Sequence, residues 1–231
     1  SVGVGKILPA DLRRGRHIGS GGTSEVFEVL HIPSEQTFAL KILPRSSLTD
    51  REFDCHYPNA VPVHSCYLED SCVHIVMPYY KLGDLSRAGP LSETVSMFAA
   101  AQVADCLAGM HADGYVHRDI KRHNLLMDDT FPLTGQVWVA DFGFVTHVTQ
   151  GTTRCRGTLD YIAPELAQSE ARMQHLTTAC DVFALGVLLV AMPLGGEPRW
   201  RLGPPPPRPD HHTPVSGQGT WSWLGATGSS T

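Results

Sequence analysis

Charge is scarce in this chain. Lys, Arg, Asp and Glu make up 18% of 231 residues, the formal net charge is −5, and no basic run is present. Without clustered Lys and Arg there is no electrostatic case for nucleic acid or for an acidic membrane surface. Long apolar runs are lacking as well: the longest, Val182 to Met192, contains Gly186 and falls short of the roughly 20 residues a bilayer crossing needs. No charged segment leading into an apolar one opens the sequence, so secretion is not expected. Cys55, Cys66, Cys72, Cys106, Cys155 and Cys180 show neither a disulfide framework nor metal-ligand spacing, which suits reduced thiols. The twelve histidines form no metal-binding pattern either, and His211-His212 falls in a low-complexity tail. Together these absences suit an intracellular protein, cytoplasmic in the first instance, with the nucleus as the other compartment.

What is present is three short blocks in a fixed order: His117-Arg118-Asp119-Ile120-Lys121-Arg122-His123-Asn124, then Asp141-Phe142-Gly143, then Ala163-Pro164-Glu165. Singly, the first two are ordinary motifs, a solvated turn and a strand-to-turn boundary. In order they supply the parts that phosphoryl transfer from ATP requires. A carboxylate on a rigid loop, Asp119, is suited to take the proton of an attacking hydroxyl. Lys121, two residues on in an extended loop, projects to the same side and can neutralise charge on the transferred group. Asn124 and Asp141 offer one neutral and one charged oxygen to Mg2+, which keeps several waters and asks for only one or two carboxylates.

This set resembles the eukaryotic protein kinase family, serine/threonine type, from about Ile18 to about Val190. The resemblance implies a glycine-rich loop at Ile18, Gly19, Ser20, Gly21, Gly22, Thr23, Ser24, Glu25 and Val26, with Ser24 where the third glycine usually sits. It implies that Lys41, in Thr37-Phe38-Ala39-Leu40-Lys41-Ile42, holds the α- and β-phosphates of ATP. Val26 and Ala39 then roof the adenine and Leu126 floors it, while Met77 stands at the gatekeeper position, Tyr79 beside the adenine edge and Asp84 within reach of the ribose. Lys121, with Gly157-Thr158 ahead of Ala163-Pro164-Glu165, is similar to kinases that act on Ser or Thr of protein substrates. Arg118 before the base is typical of members whose activation loop is ordered by phosphate, with Thr149, Thr152 and Thr153 as candidate sites.

The expected fold class is α+β, in two lobes. Short strand-like runs near residues 12 to 44 and 60 to 80 suit a small antiparallel sheet, so an N-lobe is assigned to residues 12–80. Ser92 is a candidate N-cap for a long helix to Ala112, with Ala99, Val103, Leu107 and Met110 at helical spacing. Leu125 to Met127 and Val137 to Ala140 read as a hairpin, and Thr178 to Val190 as a buried helix. Asp181 near its start resembles the family's aspartate that hydrogen-bonds the backbone around His117. A partial C-lobe is assigned to residues 81–193 and a Pro/Gly/Ser-rich, disordered tail to residues 194–231.

The departures from the family pattern weigh on activity. Only residues 42 to 55 separate Lys41 from His56-Tyr57-Pro58-Asn59, too few for the family's usual three- to four-turn helix. Glu52 is the one glutamate there to pair with Lys41, and Thr49 with Glu52 also reads as a capping box. Arg122 replaces the usual proline and is expected to loosen the loop slightly. After Met192-Pro193 no further amphipathic helix follows, so the chain reads as truncated, Glu165 as lacking its family partner, and Phe183, Leu185 and Leu188 as uncovered. In the tail, Arg201, Pro204 and Pro207 match a ligand for an SH3-type partner. Two functional readings stand at this point: a serine/threonine kinase, or an ATP-binding pseudokinase-like scaffold or inactive fragment.

Overall fold

Alternating side chains and glycine-punctuated turns build the first half of the molecule as a five-stranded antiparallel sheet, in the order β1-β2-β3-β5-β4. Its strands are β1 (Leu12–Ser20), β2 (Glu25–His31), β3 (Gln36–Pro44), β4 (Ser65–Glu69) and β5 (Cys72–Pro78). The computed structural model describes residues 7–48, 56–150, 157–167 and 176–196. Glu52, Thr152, Thr153 and the proline-rich tail lie outside the described residues.

The central strand β3 is buried over Phe38, Ala39, Leu40 and Lys41, and the period of two splits these by face. Phe38 and Leu40 join Ile7, Val29 and Val76 in a small core. Ala39 and Lys41 turn the other way, toward the cleft. Register fixes their neighbours: Lys41 lies between Val26 and Ile75, and Ala39 between Glu28 and Met77. The β4–β5 turn is closed by Asp70 and Ser71, both at positive φ (46° and 66°), the arrangement that matches the twist of a tight hairpin.

The second half is mainly helical. α1 (Glu93–Ala112) starts where Ser92 accepts a hydrogen bond from the Val95 N–H at 3.3 Å. It buries Ala99, Val103, Cys106, Leu107 and Met110, spacings of three and four that form one face. Gly114 (φ 79°) then turns the chain; a Cβ there would sit 2.6 Å from His147 Nε2. β6 (Tyr115–Val116) leads into the loop of the first motif, followed by β7 (Leu125–Met127), the single turn α2 (Phe131–Thr134) and β8 (Val137–Val139), which pairs with β7. β9 (Thr146–His147) pairs with β6, and α3 (Pro164–Ala167) precedes α4 (Ala179–Leu194).

Two features of α4 differ from expectation. The helix runs four residues beyond Val190, through Pro193, because a proline in the last turn breaks little of the hydrogen-bond ladder; Gly195 (φ 68°) ends it by donating to the Met192 carbonyl at 3.2 Å. Leu188, expected to lack cover, is fully buried in the core it shares with α1, whereas Val182 and Phe183 are exposed.

The segment after residue 55 ties the two halves together. Val139 N–H donates to Asn59 O at 2.7 Å and Val61 N–H to Val139 O at 2.8 Å. Gln102, buried on α1, completes the junction: its carbonyl oxygen accepts from Asn59 Nδ2 and the Val137 N–H, and its nitrogen donates to the Phe98 and Gly135 carbonyls. Each polar atom of a buried amide is thus used, as an enclosed amide requires.

Candidate active site

The loop from His117 to Asn124 is neither helix nor strand over most of its length, and Arg118 sits at φ 69°, so side chains must hold its shape. Asp181, fully buried near the start of α4, accepts from the His117 N–H and the Arg118 N–H at 2.8 Å each, and from His111 Nε2 at 2.9 Å. Three donors compensate a carboxylate taken wholly out of water. From the other side, Asn124 Nδ2 donates to the Asp119 carbonyl at 2.8 Å and to Asp119 Oδ2 at 2.9 Å. Lys121 Nζ lies 2.8 Å from the same Oδ2 and donates to Thr158 Oγ1 at 3.0 Å. Asp119 is buried, and its second oxygen, Oδ1, has no hydrogen-bond partner. Gly157 (φ 114°) passes close by, where a Cβ would meet the Arg118 carbonyl at 2.7 Å.

Across the cleft, Lys41 Nζ lies 2.9 Å from Asp141 Oδ1. Asp141 follows β8 at φ 61°, a left-handed position that Asp tolerates better than most residues. The next residue, Phe142, is buried against the His117 ring, with centroids 5.1 Å apart. Partial burial pushes the Asp141 carboxyl up, but Lys41 outweighs it and holds the group below the usual carboxylate range. Burial lowers the pKa of His117 against the opposing pull of Asp181, Asp141 and Asp119, which keeps its ring neutral at pH 7.

These groups line one cleft of about 940 Å³ between the sheet and the helical half. Of the residues expected there, Ile18, Gly19, Ser20, Gly21, Gly22, Ser24 and Val26 line it from the β1–β2 hairpin, Ala39, Lys41, Met77 and Tyr79 from β3 and the end of β5, and Leu126 from β7. Asp119, Lys121, Asn124 and Asp141 close its far end. Thr23 and Glu25 are not among the lining residues. Both are exposed: Glu25, at the start of β2, alternates with Val26 by the strand period, while Thr23 sits in the hairpin turn between β1 and β2. Ser24 keeps the hairpin closed, its carbonyl accepting from the Gly21 N–H at 2.8 Å. Its hydroxyl lies over Gly21, where a Cβ would approach to 2.7 Å, a contact that rotation of the Ser24 side chain can relieve.

Three features were not legible beforehand. Thr158 was read only as a mark of substrate class, and its bond to Lys121 comes from a segment far along the chain. Arg16 donates to the Tyr79 hydroxyl at 2.7 Å at the cleft mouth, although nothing in Arg13-Arg14-Gly15-Arg16 distinguishes that arginine. Arg122 does not loosen the loop: its guanidinium is buried and donates to the Leu85 and Ala88 carbonyls at 3.0 and 2.5 Å, tying the loop down where a proline has no donor to offer. Of the candidate phosphate acceptors, Thr149 is exposed, its hydroxyl 2.7 Å from His147 Nδ1. Glu165 is exposed and forms no ion pair among the described residues.

A cleft between an antiparallel sheet and a helical half, with a lysine–aspartate pair on one side and an aspartate–lysine–asparagine loop on the other, defines a nucleotide-dependent phosphotransferase architecture. The model of the protein kinase domain matches residues 12–203, and the chain belongs to that family. It is 31% identical over 215 residues to CBL-interacting serine/threonine-protein kinase 7 of Arabidopsis thaliana, covering 84% of this chain and 48% of that protein. It is 29% identical over 215 residues to serine/threonine-protein kinase PrkC of Bacillus subtilis, covering 84% of this chain and 32% of that protein. To human Rho-associated protein kinase 1 it is 29% identical over 200 residues, covering 78% of this chain and 14% of that protein. The chain thus spans less than half the length of these curated relatives. No helix among the described residues is long and apolar enough to cross a membrane.

Proposed function

We propose that this chain is a serine/threonine protein kinase domain that transfers the γ-phosphoryl group of ATP to protein hydroxyls. The observation that carries the reading is Asp119: it lines the cleft, one carboxylate oxygen is engaged by Lys121 and Asn124, and the other has no hydrogen-bond partner and is the acceptor assigned to a substrate hydroxyl. Asp119 is the proposed general base and Lys121 the cation beside the transferred group, held in place by Thr158. Lys41 is the proposed partner of the α- and β-phosphates, with Val26, Ala39, Met77, Tyr79 and Leu126 around the adenine and Asp84 at the ribose.

The donor set fits Mg2+. Asn124 turns its nitrogen toward Asp119, which leaves its amide oxygen for a cation, and Asp141 keeps its carboxylate ionised and half exposed. Mg2+, when bound by Asn124 and Asp141, would offset the negative charge of the triphosphate oxygens. Serine or threonine is the proposed acceptor, in keeping with the names of the relatives. The four described cysteines are free thiols, consistent with a reducing, cytoplasmic setting. The PxxP segment of the tail is proposed as a site for an SH3-type partner.

The test is an ATP-dependent phosphorylation assay on purified protein. Asp119→Asn should lower turnover by roughly 10²- to 10⁴-fold while nucleotide affinity stays nearly constant. Equal turnover in wild type and variant rejects Asp119 as the base. Phosphoryl transfer by neither, with nucleotide still bound, favours the scaffold reading.

A further inference from the structure

Arg122 is among the largest fully buried side chains, yet no carboxylate among the described residues pairs with its guanidinium. Its charge is met by two carbonyls, Leu85 O at the start of the 3-10 turn Leu85–Arg87 and Ala88 O just after it. A buried cation compensated only by dipoles is a poor device for stability, since an apolar side chain of similar volume commonly does as well or better. What the arrangement does supply is a fixed distance between the catalytic loop and that turn.

The turn is held from its other end too. Met127 N–H donates to Gly83 O at 2.9 Å, and Asp84 forms a β-bridge with Leu126. Asp84 therefore stands between two anchors, β7 on one side and Arg122 on the other. Its carboxylate caps the turn by accepting from the Ser86 N–H at 3.0 Å, lies 3.7 Å from Arg87 Nε, and lines the cleft. We propose that Arg122 is a positioning residue for the nucleotide: by fastening Leu85 and Ala88 it holds the Asp84 carboxylate where the ribose hydroxyls of ATP bind. This rests on the kinase reading above and adds a specificity determinant to it.

The discriminating measurement is affinity for Mg-ATP and for Mg-2′,3′-dideoxy-ATP, which lacks both ribose hydroxyls, by calorimetry on the whole chain. Wild type should prefer ATP. Arg122→Met should weaken ATP by about tenfold, the size of one lost charged hydrogen bond, and leave the dideoxy nucleotide within about twofold. Asp84→Ala should do the same, and the double variant should lose no more than either alone. Equal weakening of both nucleotides by Arg122→Met, additive losses in the double variant, or no preference in wild type overturns the proposal. If Arg122→Met lacks a melting transition, Arg122→Lys, with one donor retained, carries the test: a reduced preference supports the proposal and an undiminished one overturns it. Wild type that binds neither nucleotide overturns instead the ATP reading on which the proposal rests.

Discussion

On the sheet side of the cleft, Lys41 owes its place to ladder hydrogen bonds, with Val26 and Ile75 as register partners; on the helical side, Asp119 owes its place to the side chains of Asp181, Asn124, Lys121 and Arg122. Backbone pairing is indifferent to most side-chain identities, so the sheet wall accommodates Ser24 in a glycine position with the hairpin intact. The loop wall has no such reserve. Each of its supports is one side chain with particular atoms, and one substitution removes it.

The largest effect should come from the loop wall's most connected support. Asp181→Ala leaves the His117 and Arg118 N–H groups and His111 without their acceptor, and should cost about 3 kcal/mol or more of unfolding free energy in urea titration. A loss below about 1 kcal/mol would show that the loop is held by something other than this carboxylate, and the contrast between the walls would collapse.

A change on the sheet wall should act on ligand rather than on fold. ATP at a hundredfold excess over its dissociation constant should stabilise the wild type by about 2.7 kcal/mol, and only with magnesium present. Lys41→Met should remove most of that gain while leaving the apo melting temperature nearly unchanged, because Met fills the space of the buried Lys41 stem and the half-exposed Asp141 carboxylate left behind can be hydrated. A large drop in apo stability would place Lys41 among the structural supports instead.

Acid should test both walls together. Burial lowers the pKa of His64 and His74 on the sheet side and of His117 in the loop, each from an ordinary 6.5. Above that value both folded and unfolded chains hold these rings neutral and stability is full. Below it the unfolded chain takes up protons that the folded chain refuses, so stability falls with pH, by at most about 1.4 kcal/mol per pH unit for the buried His117 and by less for His64, which is exposed and screened by solvent. Asp141, also lowered, adds its loss only as pH drops below about 3.8. Urea midpoints at pH 7 and 5.5 should therefore differ, and His64→Gln should narrow the gap. An unchanged gap would leave His117 and His74 as its source.

The smallest effect belongs to Ser24→Gly, which frees Gly21 of the overlying hydroxyl and should move ATP affinity by less than about threefold. A larger shift would mean that the hairpin tip is as dependent on side chains as the loop opposite.

Much of the site was legible because its chemistry is local. Asp119, Lys121 and Asn124 fall within six consecutive residues, and an acid, a cation and an amide so close together in an extended loop can serve one reaction whatever surrounds them. Lys41 was legible as part of a strand with an alternating pattern, and α1 through its Ser92 cap and apolar face. The span from Ile18 to Val26 brings seven of its nine residues to the cleft, while the side chains of Thr23, in the hairpin turn, and Glu25, on β2, are exposed.

What sequence alone determined, then, is the family, the order of the strands and helices, and the identity of the groups that can do chemistry, since these depend on residue type and on spacing of a few positions. What tertiary structure decided is which atom of each group is free. Thr158 reaches Lys121 across 37 positions, Asp181 reaches His117 across 64, and Lys41 reaches Asp141 across 100. Arg122, expected to slacken its loop, instead fastens it to carbonyls 34 and 37 positions away. No local pattern carries such information, because a hydrogen bond depends on the separation of two atoms in space, and the folded chain alone sets that separation.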